Sequence, residues 1–402
     1  NLPAAVQPPP PAPLTATYVV QPGDTFFLIA RRFATTVDTL LRLNPAVTDP
    51  SRIFPGQLLT VPVPASATPP GCVVYVKGLG EAAPAAPPTD LYRSDALGRG
   101  ELRLTRHAGT ADQPVAAPRW SPDGRSLAYL AGRQLIVGDG CGRNPRRLAT
   151  DAASFSWSHD STRLAYSNPQ GTFTVTLAGA SQFVAANLEN PDWFPGDRRL
   201  AGTTTVEGIR YPVLATVDLP GGTVTPVVTP RPVPAASVAL SPSGRYAATQ
   251  LLQGTAFDVT SAVWVYDFTA ASLVQLPGFS FTVAAGTTRN LSFLGGWAPD
   301  SSRLVYATLT GPTGTGELRI ASPAGGLLAA IPRNYYPEPR WGPAADWLIY
   351  AASAQPGTDP LAPTRPRNIF VRHLPSGAEY QLTQTGDNSS PDWTGSPCPV
   401  CG

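Results

Sequence analysis

Between Tyr18 and Pro62 the hydrophobic positions change period twice. Tyr18–Val20 is a short apolar run of strand type. Leu28, Ile29 and Phe33 then recur at helical spacing, with Asp24 or Thr25 placed to cap that helix. Val37, Leu40, Leu41 and Leu43 mark a second helix. Thr35 and Asp38 open it in the form of a capping box, and Asn44-Pro45 stops it. Pro55-Gly56 predicts a turn and Leu58–Val61 a returning strand. The predicted order is strand, helix, helix, strand.

The rest of the chain carries a different pattern, repeated. An aromatic residue is followed by a Pro/Asp/Gly turn and a short alternating strand: PRWSPDGRSLAYL at 118–130, SFSWSHDSTRLAYS at 154–167 and NPDWFPGDRRLAGT at 190–203. The unit returns as SVALSPSGRYAAT at 237–249, GGWAPDSSRLVYAT at 295–308 and PRWGPAADWLIYAA at 340–352, and SPDWTG at 390–395 is a seventh start. The marks Trp120, Trp157, Trp193, Leu240, Trp297, Trp341 and Trp393 lie about 36–57 residues apart, near the length of a four-stranded propeller blade. The first six predict inner strands of blades. The seventh has no strands after it, whereas Val73–Val76, Asp90–Arg93 and Glu101–Leu104 have no aromatic start. Joining them predicts one shared blade that closes a seven-bladed ring and removes its exposed sheet edges. Leu240 makes the fourth repeat the weakest.

The N-terminal segment resembles a LysM domain. The matching residues are Tyr18, Val20, Pro22-Gly23-Asp24-Thr25, Ile29-Ala30, Phe33, Leu40, Asn44-Pro45, Ile53, Pro55-Gly56-Gln57, Leu59 and Val61-Pro62. The resemblance implies binding of N-acetylglucosamine-containing glycans such as peptidoglycan. It implies a shallow groove with Gly23, Asp24, Thr25 and Phe26 on one side and Asn44, Ile53 and Phe54 on the other. The repeat is similar to the TolB-type propeller repeat, a relative of WD repeats. The expected fold is mainly β: a small βααβ LysM-like module and a seven-bladed β-propeller closed by pairing of N- and C-terminal strands. The expected organisation is a proline-rich extended tail at 1–17, the module at 18–62, a Pro/Ala/Ser linker at 63–71 and the propeller at 72–402.

Composition adds three points. The formal net charge of +2 lacks the basic footprint of a nucleic-acid binder. No run of 18 apolar residues occurs, so no membrane span is expected. Of the 29 Lys and Arg residues only Lys77 is lysine, and methionine is absent even at position 1. A GC-rich coding sequence gives the arginine bias. The missing methionine fits a chain whose export signal is removed before Asn1, and an exposed extracellular or cell-envelope location. Four cysteines remain. A bond from Cys72 to Cys398 or Cys401 would clasp the ring, with Cys141 taking the other partner. The alternative, a redox or zinc Cys398-Pro-Val-Cys401 motif, lacks a second pair and a thioredoxin-like context.

Signals for catalysis are thin. His107, His159 and His373 are isolated, and His159 replaces the proline of a blade turn. There is no G-x-S-x-G elbow, no H-E-x-x-H, no Walker-type loop and no EF-hand spacing. No cofactor and no metal is expected. Asn290 and Asn388 fit the N-glycosylation pattern. The leading expectation is a secreted, non-catalytic cell-envelope protein that binds glycan through its module and protein partners through its propeller. The second is a self-assembling structural subunit of a filament or surface layer. In it the proline-rich tail, which has no hydrogen bonds of its own, docks on a neighbouring copy; the alternative to this is a tail packed on its own propeller. A propeller hydrolase or lyase ranks last.

Overall fold

The structure is a computed structural model. It describes residues 15–63, 69–78, 89–106, 114–228, 231–254, 259–278, 280–282, 288–309, 316–332, 339–353, 367–385 and 387–401. The proline run of the tail and His107 lie outside these residues. The chain divides into two compact units, Asn1–Pro69 with Arg372–Tyr380, and Pro70–Val371 with Gln381–Gly402.

The first unit contains β1 (Thr15–Val19), α1 (Phe26–Arg32), α2 (Val37–Leu43) and β2 (Leu58–Pro62). β1 and β2 pair antiparallel from Thr15↔Pro62 to Val19↔Leu58. The strand therefore starts inside the segment read as tail, because Ala16 and Tyr18 alternate inward and are buried. Phe26, Ile29, Ala30 and Phe33 fill the core beneath α1, joined by Leu40, Leu59 and Val61. The helix thus buries the i, i+3, i+4, i+7 row that begins at Phe26, and Leu28 is exposed. Thr25 caps α1, its Oγ1 accepting from Leu28 N at 3.2 Å. Thr36, not Thr35, caps α2 by accepting from Thr39 N at 3.2 Å, so the expected Thr35–Asp38 box is not the cap.

The second unit is a seven-bladed propeller. Blade 1 runs Val115–Trp120, Ser126–Ala131, Gln134–Asp139 and Arg146–Ala149, each strand antiparallel to the next. Blades 2 to 6 repeat this order, with inner strands Ser154–Trp157, Glu189–Trp193, Ser237–Leu240, Thr288–Trp297 and Arg340–Trp341. Blade 7 is assembled from both ends: Asp387–Thr394 is its inner strand, followed by Cys72–Gly78, Thr89–Asp95 and Leu102–Arg103. Gly71 leads into this blade at φ +91°, and a Cβ there would lie 1.9 Å from the Thr394 carbonyl oxygen, so only glycine fits the crossing. The long interval between Leu240 and Trp297 holds an added strand, Ser280–Thr282, which pairs with Thr288–Trp297.

The marker tryptophans are buried and tie neighbouring blades together. Trp157 Nε1 donates to Arg119 O at 3.1 Å, Trp193 Nε1 to Ser156 O at 3.3 Å and Trp297 Nε1 to Ala239 O at 2.9 Å. These three indoles bury their rings and still satisfy their one donor, whereas the buried Nε1 of Trp120 and of Trp341 has no partner among the described residues. The turns have the expected chemistry. In blade 1 Ser121 Oγ donates to Asp123 Oδ1 at 2.6 Å, and Arg125 N donates to the same oxygen at 3.0 Å. Two disulfides, Cys72–Cys398 and Cys141–Cys401, fix the C-terminal segment to blades 7 and 1. Arg93 is buried beside them and donates to Pro399 O at 2.7 Å.

Candidate functional site

In the first unit two loops are brought side by side by backbone bonds. Val20 N donates to Gln57 O at 2.9 Å, and Gly56 N donates to Val20 O at 2.8 Å. The turn Phe54-Pro55-Gly56-Gln57, closed by Gln57 N to Phe54 O at 3.1 Å, therefore lies against the end of β1, where Gln21–Asp24 begins. Pro55 and Gly56, at φ +89°, are the residues a type II turn demands at its centre. Asp24 shapes the other loop. Its carboxylate accepts from Gln21 N at 2.8 Å and from the Tyr18 hydroxyl, and its other oxygen stands 3.5 Å from the Arg32 guanidinium. Burial, and after it Asp24, pushes the Tyr18 hydroxyl pKa well up, so Tyr18 stays a donor. The two loops present the backbone of Gly23, Thr25, half-buried Ile53 and Phe54, whose ring is 64% exposed.

The LysM family model matches residues 18–62. Residues 18–62 are a LysM domain. Over 47 residues this part of the chain is 45% identical to the endolysin of Bacillus phage B103, and over 48 residues 46% identical to that of Bacillus phage PZA. Each match covers 12% of this chain and 18% and 19% of the endolysins, so the chain spans less than a fifth of the length of these relatives. The structure of TolB from Acinetobacter baumannii matches with a TM-score of 0.45 and 15% identity, over 85% of this chain and 76% of TolB. The putative TolB from Agrobacterium tumefaciens matches with a TM-score of 0.41 and 13% identity, over 76% of this chain and 98% of the other.

Of the seven groove residues expected in the LysM domain, Thr25 caps α1 with its side chain and three others have buried side chains turned to structural work. Phe26 is 3% exposed and belongs to the core. Asn44 is buried: its Nδ2 donates to Leu40 O at 2.8 Å and Thr60 O at 2.7 Å, and its Oδ1 accepts from Thr60 N at 2.6 Å. It staples the end of α2 to β2. The Asp24 side chain is only 6% exposed. Gly23, Thr25, Ile53 and Phe54 remain at the surface. Phe27, which the sequence reading passed over, is 64% exposed and lines a hollow with Ala30, Arg31, Ala34 and Val37. The signal was present in the helical phase, since burying Phe26, Ile29, Ala30 and Phe33 turns Phe27 outward.

In the propeller, His159 sits in its turn as expected. Its backbone N donates to Asp197 Oδ1 at 2.8 Å and its Nδ1 lies 3.1 Å from the same oxygen. His373 Nδ1 contacts Ser376 Oγ at 2.8 Å. Asn388 is fully buried, and its Nδ2 donates to Arg367 O at 2.9 Å and Thr385 O at 3.1 Å. This corrects its reading as a glycosylation site, because the folded protein offers no access to that nitrogen. The backbone of Asn290 pairs with Ser280 in the added strand.

Proposed function

We propose that this is a secreted, non-catalytic cell-envelope protein whose LysM domain binds an N-acetylglucosamine-containing glycan, peptidoglycan in the first instance, and whose propeller is a platform for protein partners. The observation that carries the reading is the LysM domain itself, with the Gly23–Thr25 loop and the Ile53–Gln57 turn held side by side and the Phe54 ring exposed. Loop amides there can bond an acetamide while an apolar ring covers a sugar face. The phage endolysin matches are confined to this module and support the glycan rather than a shared enzyme activity. One module binds weakly, so additional contacts through the propeller would raise the avidity for a wall surface.

The test is co-sedimentation of the full chain with insoluble peptidoglycan. Retention that soluble N-acetylglucosamine oligomers compete away, and that Phe54→Ala loses without a change in melting temperature, is the expected result. A wild-type chain that stays in the supernatant at all protein concentrations used refutes the glycan assignment.

A further inference from the structure

The propeller channel, a space of about 880 Å³, falls in the size range of small-molecule sites. In six of the seven inner strands the residue immediately before the marker lines it: Arg119 in blade 1, Ser156 in blade 2, Asp192 in blade 3, Ala239 in blade 4, Arg340 in blade 6 and Asp392 in blade 7. Two cations and two anions thus share this ring of positions with Ser156 and Ala239.

The two carboxylates already have donors. Asp192 Oδ2 accepts from Leu240 N at 2.8 Å and its Oδ1 from Trp193 N at 3.1 Å, which ties blade 3 to blade 4. Asp392 Oδ2 accepts from Trp120 N at 2.8 Å, which ties blade 7 to blade 1. They hold the ring together, and with guanidinium groups beside them they are poor ligands for a metal cation. Arg340 is in a different position. Its Nε is buried and has no hydrogen-bond partner among the described residues, and a buried guanidinium donor without an acceptor is costly. Arg340 and Arg119 stand on the two blades that flank Asp392, and both charges act on it. That side of the channel carries two cations around one anion whose lone pairs are engaged by backbone amides.

We propose that the channel is a binding site for a small carboxylate-bearing anion, held by the guanidinium of Arg340 with Arg119 adding charge from the far side of Asp392. A carboxylate supplies two in-plane acceptors that match a guanidinium edge. The site is independent of the LysM domain and its glycan.

The probe is citrate, titrated calorimetrically into the full chain at about 0.15 M salt, with inorganic phosphate in parallel. Saturable citrate binding is expected, weakened about tenfold or more in Arg340→Gln by loss of a charged hydrogen bond. Ala239→Asp leaves Arg340 in place and adds a negative charge to the blade 4 wall. It too is expected to weaken citrate, and it carries the test if Arg340→Gln fails to fold. Phosphate is expected to bind more weakly than citrate. The proposal is overturned by the absence of saturable heat, by equal citrate affinity in the parent and the folded variants, or by phosphate binding as tightly as citrate.

Discussion

Removing the disulfides one at a time tests how the propeller ring is held shut. Alone, Cys72–Cys398 closes a loop with a separation of 326 residues and Cys141–Cys401 one of 260. Together they share a circuit. With either bond in place, the other closes only the stretch from Cys72 to Cys141 returned through the Cys398–Cys401 step, about 70 residues. In the chain-entropy model that circuit amounts to roughly 4 kcal/mol at 25 °C, against roughly 5–6 kcal/mol for either long loop alone. Cys72→Ala/Cys398→Ala and Cys141→Ala/Cys401→Ala are therefore expected to lose about the same stability, roughly 4 kcal/mol each, although their loops differ in length. The variant lacking all four cysteines loses roughly 10 kcal/mol on the same model, comparable with the whole stability of a domain, and is expected not to fold at 37 °C. Guanidinium unfolding without reductant measures the losses, and intact mass before and after alkylation verifies that the parent has no free thiol. A parent that alkylates at any cysteine, or one paired variant as stable as the parent beside a second that is crippled, would refute the shared circuit.

Three further outcomes follow from particular contacts. Phe26→Ala should cost about 3–5 kcal/mol because the ring is buried in the LysM core, whereas Phe54→Ala should change stability by less than about 0.5 kcal/mol; denaturant midpoints in the reverse order would show the core and the open face to be misassigned. Arg163→Lys keeps the charge but loses a flat group 5.0 Å over the Trp193 ring, and is expected to lower stability by about 0.5–1 kcal/mol; a variant matching the parent would sink the stacking argument. Burial, only partly offset by backbone amides and nearby cations, raises the carboxyl pKa of Asp192 and Asp392, so each ionises less readily in the fold than in the unfolded chain and their contribution to stability declines as pH rises from about 4. Asp267, lowered first by its bond from Arg245, and Asp300, lowered first by Ser302, have the opposite sign and lose their contribution only below about pH 4. Unfolding curves between pH 4 and 7 should accordingly be flatter in Asp192→Asn than in the parent, and an unchanged slope would remove Asp192 from the account.

Ring closure was legible because a start without strands and strands without a start leave one way to complete a sheet, and Asp387–Thr394 does pair with Cys72–Gly78. The phase of α1 was not. Phe26, Phe27, Leu28 and Ile29 are four apolar residues in a row, so Phe26 or Leu28 can lead the buried stripe. The inward positions of Ala30 and Phe33 fix the first choice. The cap of α2 slipped by one for a similar reason, since Thr35 and Thr36 have the same cap chemistry. Asp24 and Asn44 were harder. Their partners Arg32 and Thr60 are far enough along the chain that local pattern does not reveal them, and a polar residue in a loop expected to bind glycan reads as a ligand. Asn388 was misread because the glycosylation pattern carries no information on burial.

The repeat also contains a signal beside its tryptophan: the arginine before the second strand. Arg163 of blade 2 lies over Trp193 of blade 3 and donates to Asp197 O at 3.2 Å. Arg303 of blade 5 lies 4.9 Å over Trp341 of blade 6 and donates to Ala345 O. Arg199 of blade 3 covers Phe194 at 4.8 Å and reaches Phe268 of blade 4 at 6.0 Å. In each case one planar cation covers an aromatic ring of the next blade, and in two of them it also donates across the boundary, which a lysine ammonium cannot do as well with its round, strongly hydrated head. Blade 6 has Trp347 at this position, and its ring meets Trp393 of blade 7 edge to face at 6.2 Å. An indole there makes the same inter-blade contact without charge. At three boundaries, then, arginine makes a contact that lysine would make less well. At these boundaries a flat side chain long enough to cross is favoured, and the lone Lys77 instead pairs with Glu101 at 3.0 Å and lies 5.0 Å over the Tyr92 ring inside the closing blade.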